Sequence, residues 1–300
     1  MATIDSDFLV SGVAGSPRRG VLSKVAGLLG SGFMRFLLAL IALLWLVPVF
    51  GLFVSSLRGE SDNATSGWWQ VFTKPAEITV DNYKDLVDNS AVMHSLLNTV
   101  YISVPATALV IAVAALAAYA LAWMRFPGQD WLMVIIVGLL VVPIQVALIP
   151  MSELYGALGI FGSIIGVILF HVAFGLPFAV FLLRNFFAGI PADLLEAARM
   201  DGAKEWRIFR KVVLPIGLPA IASLAIFQFL WVWNDLLVAL VFAGSSSQPI
   251  TVALQEQLRS FGTNINVLAT GSFVSMLVPL VVFFAFQRFF VQGVLAGSTK

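Results

Sequence analysis

Ser95-Leu-Leu-Asn-Thr-Val-Tyr-Ile-Ser-Val-Pro-Ala-Thr-Ala-Leu-Val-Ile-Ala-Val-Ala-Ala-Leu-Ala-Ala-Tyr-Ala-Leu-Ala-Trp-Met124 contains no aspartate, glutamate, lysine or arginine. A helix of about 20 mostly apolar residues reaches across the hydrocarbon of a bilayer. Five further runs share this character: Phe36–Leu57, Trp131–Ser152, Leu154–Leu183, Val212–Asn234 and Ser260–Gln287. The fifth crossing continues past Asp235 to about Ala243, and the sixth starts near Leu268. The expected fold is therefore all-α: a polytopic membrane protein with six transmembrane helices.

Composition excludes the main alternatives. Of the 300 residues, 60% are hydrophobic and 11% charged, with a mean hydropathy of +0.97. A soluble domain carries roughly 45–50% and about 25%. A chain with so few charges cannot cover a water-facing surface, and one so apolar does not stay disordered. The net charge of +1 gives no reason to expect nucleic acid. With no cysteine there is no disulfide framework, thiolate metal site or cysteine nucleophile.

Lysine and arginine set the orientation. With the amino terminus inside, the inner segments hold Arg18, Arg19, Lys24, Arg35, Arg125, Arg184, Arg199, Lys204, Arg207, Arg210, Lys211, Arg288 and Lys300. The outer segments hold only Arg58, Lys74, Lys84 and Arg259. Both termini are expected in the cytoplasm. The first span is too long, and too far from the terminus, for a cleaved signal. It reads as a signal anchor behind a mobile tail, 1–32, with the transmembrane domain over 33–300. Three outer segments follow: an acidic one at 58–94 with an interfacial Trp68–Trp69 pair, a short one near Glu153–Phe161, and 244–267. The last has a turn-rich start and a possible helix near Leu254–Leu258. There is no internal repeat and no low-complexity segment.

The one sizeable charged inner segment is 185–211. Pro191 suits a first helical turn, Asp193 and Glu196 suit the positive end of a helix dipole, and Leu195 and Ala198 share a face. Gly202 is a natural C-terminal stop. A second short helix is expected to carry Trp206, Phe209 and Val213 on one stripe and Lys204, Arg207 and Lys211 on another, before Pro215 opens the next span. Amphipathicity alone would fit any basic loop lying in the headgroups. The spacing is more specific: Glu196-Ala197-Ala198, three residues, Gly202, nine residues, then Val212-Val213-Leu214-Pro215.

This spacing resembles the EAA signature of ABC importer permeases, E-A-A-x3-G-x9-I-x-L-P, with Val212 at the isoleucine. The resemblance runs from roughly Met34 to Gly297 and narrows to carbohydrate importers of the maltose permease type. It is carried by Tyr119–Gly128, Ala198–Ala203, Trp231–Leu237 and Gln287–Gly293. Val142–Pro150 and Phe174–Asn185 look closest to the α-glucoside permeases. The resemblance implies a coupling loop made of Glu196, Ala197, Ala198, Asp201, Gly202, Ala203, Leu214 and Pro215, docking onto a cytoplasmic ATPase. It implies a second permease subunit in a heterodimer, two ATPase subunits and an extracytoplasmic sugar-binding protein. The solute would be an α-glucoside such as maltose, maltodextrin or trehalose, with the main sugar site in the partner permease. The end, Ala296-Gly-Ser-Thr-Lys300, departs from the basic Val-Lys-Gly tail usual in the family.

Four polar residues are candidates for lining the path. Asp235 is the one acid within an expected span, and a charge there should face the bundle or a cavity. It reads as a substrate or proton site, or as a polar knot with Asn234. His171 reads as a hydrogen-bonding partner of a neighbouring helix. Gln145, between Pro143 and Pro150, sits where a broken helix could line a cavity and contact sugar. No phosphate loop is present, so no cofactor is expected on this chain, and ATP with its magnesium belongs to a partner. The rival readings are a proton-coupled carrier working through Asp235 and a structural subunit without transport. The second leaves the loop spacing unexplained.

Overall fold

A computed structural model describes the backbone over 21–259 and 265–298 and side chains over 32–258 and 266–287. Most of the expected tail, and part of the third outer segment, lie outside the described residues. The chain divides into two units, 1–51 and 52–300. In the first, helix α1 (Val21–Ser56) starts inside the expected tail, so Val21–Gly32 is helical. Its apolar side chains from Phe33 to Phe50 are exposed, Trp45 by 77%. A helix that exposes so many apolar side chains is dressed for lipid.

Among the described residues the second unit is helical apart from turns and two isolated β-bridges, Arg58 with Ile78 and Gly162 with Ala243. It contains α2 (Glu60–Thr65), α3 (Asp81–Asp88), α4 (Ser90–Trp123), α5 (Gln129–Leu139), α6 (Ile144–Ala157) and α7 (Ile164–Ala188). Then come α8 (Ala192–Met200), α9 (Glu205–Ile208), α10 (Leu214–Trp233), α11 (Leu237–Phe242), α12 (Ile250–Arg259) and α13 (Ile265–Ser298). Among the described residues five helices can cross a membrane alone, or six crossings exist when α5 and α6 count as one.

The core is α4 against α7, with α10 laid on both and α13 on α10. Ser103, Ala106, Val110, Ala114 and Ala118 form a fully buried stripe of mostly small side chains along α4. Such stripes let helix backbones approach closely, which drives association where lipid removes any hydrophobic advantage. On α7 the buried set His171, Gly175, Ala179, Leu183 and Phe187 repeats every four residues. At Gly175 a Cβ would lie 2.7 Å from Gln228 Nε2 of α10, so a larger residue would have to displace that buried amide.

Three expected spans differ in detail. The third is not one helix: α5 and α6 meet at 102°. Pro143, the N-cap of α6, has no N–H to continue α5 and disfavours a helical Val142. The fourth begins at Ile164, because Leu154–Ala157 still belongs to α6 and Gly159 and Gly162 turn the chain with positive φ. The fifth does not continue through Asp235: α10 ends at Trp233 and α11 restarts at Leu237.

The end of α1 inside the second unit is closed by polar groups. The Ser55 and Arg58 carbonyls accept from Asn63 Nδ2, and those of Ser56 and Arg58 accept from Asn82 Nδ2. The Leu57 carbonyl accepts from Thr79 N at 2.7 Å. These are the orphan carbonyls that any helix C-terminus leaves. Arg58, 0% exposed, donates to Glu77 Oε2 at 2.6 and 3.0 Å, to Ser66 Oγ and O, and to Asp62 O. Removing one partner of a buried ion pair costs about 3–5 kcal/mol, because the other is stranded. Arg58→Met is therefore expected to lower the thermal unfolding temperature of the detergent-purified protein clearly. An unchanged midpoint would mean that the guanidinium is not holding this segment.

Candidate functional site

The loop between α7 and α10 is built as the spacing requires, with one difference. Pro191 caps α8, and Asp193 sits in its first turn. Leu195 is fully buried in the core with Phe187, Ile208 and Val213, while Ala198 and Ala203 pack at its edge. The helix ends in a Schellman motif: Gly202 N donates to Arg199 O and Ala203 N to Ala198 O, both at 3.0 Å. Gly202 has φ 76, where any side chain is strained by about 1–2 kcal/mol. Glu196, Ala197, Asp201 and Gly202 face outward beside exposed Leu194, Met200 and Trp206.

The difference is in the second half. The expected separate helix before Pro215 is instead continuous with the following span: α9 runs through a π-helical segment, Phe209–Val213, directly into α10. Pro215 does not break the helix, because the wider π-helical turn that precedes it, Phe209–Val213, accommodates the ring. Leu214 is half-buried and Pro215 exposed. Arg199 donates to Glu205 Oε1 at 2.9 Å, tying α8 to α9. That hydrogen bond holds the Arg199 guanidinium above its ordinary pKa.

The structure brings together two of the four interior candidates. His171 Nδ1 lies 2.9 Å from Val167 O, an acceptor, so the ring donates there. Its Nε2 lies 3.6 Å from Asp235 Oδ2, close enough for charge but long for a hydrogen bond. Asp235 is not within a helix. Its carboxylate accepts from Val238 N at 3.3 Å and Ala239 N at 3.0 Å, capping α11. Its carbonyl accepts from Thr251 Oγ1 of α12 at 2.6 Å. The expected knot with Asn234 does not form, because the exposed Asn234 amide turns back to Leu230 O. Gln145 is exposed on the first turn of α6, next to the bend at Pro143.

Sequence reasoning missed Arg58, Tyr119, Glu205 and Gln228. Tyr119 donates to Glu205 Oε2, and Gln228 Nε2 is buried opposite Gly175. A signal existed for Arg58, an arginine abutting the end of an apolar run. The others lie in helical patterns that give no cue to their partners. Among the described residues, no group of three or more His, Asp or Glu side chains could hold a metal ion.

Known proteins place this architecture. The fold is that of an ABC importer permease: a chain of the bacterial alginate ABC transporter, solved by crystallography, superposes with a TM-score of 0.74 at 24% identity, covering 92% of this chain and 100% of its own. Residues 110–296 match the model of the binding-protein-dependent transport system inner membrane component family, and the chain belongs to that family. It is 50% identical over 265 residues to the osmoprotective compounds uptake permease protein GgtD of Synechocystis sp., covering 87% of this chain and 89% of that protein. It is 48% identical over 235 residues to the alpha-glucoside transport system permease protein AglG of Rhizobium meliloti, covering 76% of this chain and 62% of that one. The chain is thus a multi-pass permease subunit, not itself an enzyme, and ATP is bound by its partner ATPases.

Gly202→Ala is expected to cost about 1–2 kcal/mol of local stability, since alanine must adopt the left-handed conformation. Amide exchange over α8 and the loop should accelerate by about tenfold, with α4 unaffected. Unchanged exchange at Gly202→Ala would mean that the motif does not set the loop.

Proposed function

We propose that this chain is one half of a heterodimeric pore that imports a neutral, polyhydroxylated solute of the α-glucoside class, such as maltose, maltodextrin or trehalose. Both termini lie in the cytoplasm, and the α8–Gly202–α9 loop docks onto an ATPase. The solute class is supported by the names of the two relatives, one of them an osmoprotectant permease and the other an α-glucoside permease.

The observation that carries the docking role is the loop surface. Leu194 and Met200 stand exposed by 48% and 84% on α8, outside the long apolar spans, and Trp206 by 60% at the start of the span that α9 opens. Exposed apolar groups beside Glu196 and a rigid glycine turn make a knob that fits a partner's cleft. Leu195, Ile208 and Val213 root the knob in the bundle, so a rigid-body movement of the ATPase reaches the spans. A second permease subunit and an extracytoplasmic binding protein complete the assembly. The basic inner loops and acidic 58–94 segment support the orientation.

Glu196→Lys and Gly202→Pro should each cut solute uptake at least tenfold, about 1.4 kcal/mol or more of coupling, while the protein still reaches the membrane. Uptake into proteoliposomes carrying the complete complex checks this, and normal uptake would refute the docking assignment. Asp235 acts as a helix cap, so Asp235→Asn, which keeps an acceptor oxygen for α11, should retain most transport. A proton-coupled carrier would instead lose it, and uptake under an uncoupler separates the two.

A further inference from the structure

Three donors converge on one carboxylate where α4, α8 and α9 meet. Tyr119, in the last turns of α4, donates its hydroxyl to Glu205 Oε2. Arg199, in the last turn of α8, donates Nε to Oε1 at 2.9 Å and Nη2 to Oε2 at 3.4 Å. Glu205 is the first residue of α9, whose helix continues unbroken into α10. The Tyr119 ring is buried, 5.3 Å from that of Phe209 in the π-helical segment.

Magnitudes decide which attachment matters. The Arg199 and Glu205 side chains are 37% and 38% exposed, and a surface ion pair of that kind shifts an equilibrium by about fivefold at most. A hydrogen bond from a buried tyrosine to an ionised carboxylate shifts one by about ten- to hundredfold. Glu205 is therefore held more firmly by α4 than by its own loop. The other anchor of α8, the buried Leu195, is apolar and has no directional preference. Directional force between α8 and α4 runs through Glu205.

We propose that Tyr119 and Glu205 are positioning residues that carry the displacement of the α8 loop into α4, the helix at the centre of the bundle. This rests on the docking role of that loop and adds the route by which its movement reaches a span other than α10. In a static staple, losing the hydroxyl would weaken assembly, and transport and ATP hydrolysis would fall together. A relay loses transport per ATP while the complex stays whole.

The test uses the complete transporter in proteoliposomes, with whichever of radiolabelled maltose, trehalose or sucrose the wild-type complex imports. Import and ATP hydrolysis are both measured with the loaded binding protein present. Tyr119→Phe keeps the ring against Phe209 and removes only the donor. It is expected to lower solute imported per ATP about tenfold with the ATPases still co-purifying at the wild-type ratio. Glu205→Gln, which leaves an acceptor oxygen for Tyr119, should fall between Tyr119→Phe and wild type. Combining the two substitutions should do no more than Tyr119→Phe alone, because both cut one link. Arg199→Ala should cost less than about fivefold, the worth of a surface pair. Unchanged import per ATP in Tyr119→Phe overturns the relay, as does a loss that merely tracks missing complex. With Glu196→Lys run alongside, a neutral Tyr119→Phe beside a blocked Glu196→Lys refutes the relay alone. If both are neutral, the docking role falls as well.

Discussion

A chain in hydrocarbon has no water to complete its backbone hydrogen bonds, so wherever a helix stops inside or near the bilayer, something in the protein must accept or donate in its place. The structure can be understood as a set of such stops. The end of α1 hands its carbonyls to Asn63, Asn82 and Thr79. The break between α10 and α11 is closed by the Asp235 carboxylate, which accepts from both Val238 and Ala239. The end of α7 gives the Phe187 carbonyl to the Trp123 indole of α4 at 3.0 Å. Each polar side chain so placed is costly alone and stable where it is, because the backbone group it meets would be costlier unpaired.

The same constraint explains how much could be read in advance. A charge-free run longer than about 20 residues has few solutions in lipid, so α4 was legible to within a few residues of each end. So was the Gly202 stop, because a left-handed residue at a helix end leaves a local chemical signature. The breaks were harder. Pro143 announces a possible interruption, yet Pro48, Pro105, Pro177, Pro219 and Pro279 lie within helices that continue through them. Proline alone does not tell a kink from a 102° bend in a membrane helix, where neighbours can satisfy the freed carbonyl. Asp235 was legible as anomalous but not as a cap, since its partners are fixed by the restart of α11 rather than by residue type.

Long-range polar pairs were not legible at all. Tyr119 and Glu205 stand 86 positions apart, and Thr99 meets the Ile250 amide at a separation of 151. Nothing in local periodicity distinguishes Tyr119 from the aromatic residues of other spans. Only the packing of α4 against α7 and α10 brings it to the loop. The pairs that define a working surface are in this chain those that the apolar pattern positions without naming.

Charge placement follows from the same economy. Arg58, Glu77, Arg199 and Glu205 sit beside helix ends, where backbone groups need partners. Of the two pairs, the one at Arg58 is buried and satisfied on five hydrogen bonds, which suits a fixed element. The pair at Arg199 is half in water and weak by itself, and it gains direction only through Tyr119. If the loop moves as proposed, its joint is not one that a buried ion pair could lock, since disrupting such a pair costs about 3–5 kcal/mol. One buried hydroxyl on a solvent-touched carboxylate is a weaker and more easily re-formed link. The π-helical segment beside it gives the loop-to-span connection a turn that is not held in the regular α register. The rigid end and the compliant end of this bundle thus differ in how far their charges are removed from water.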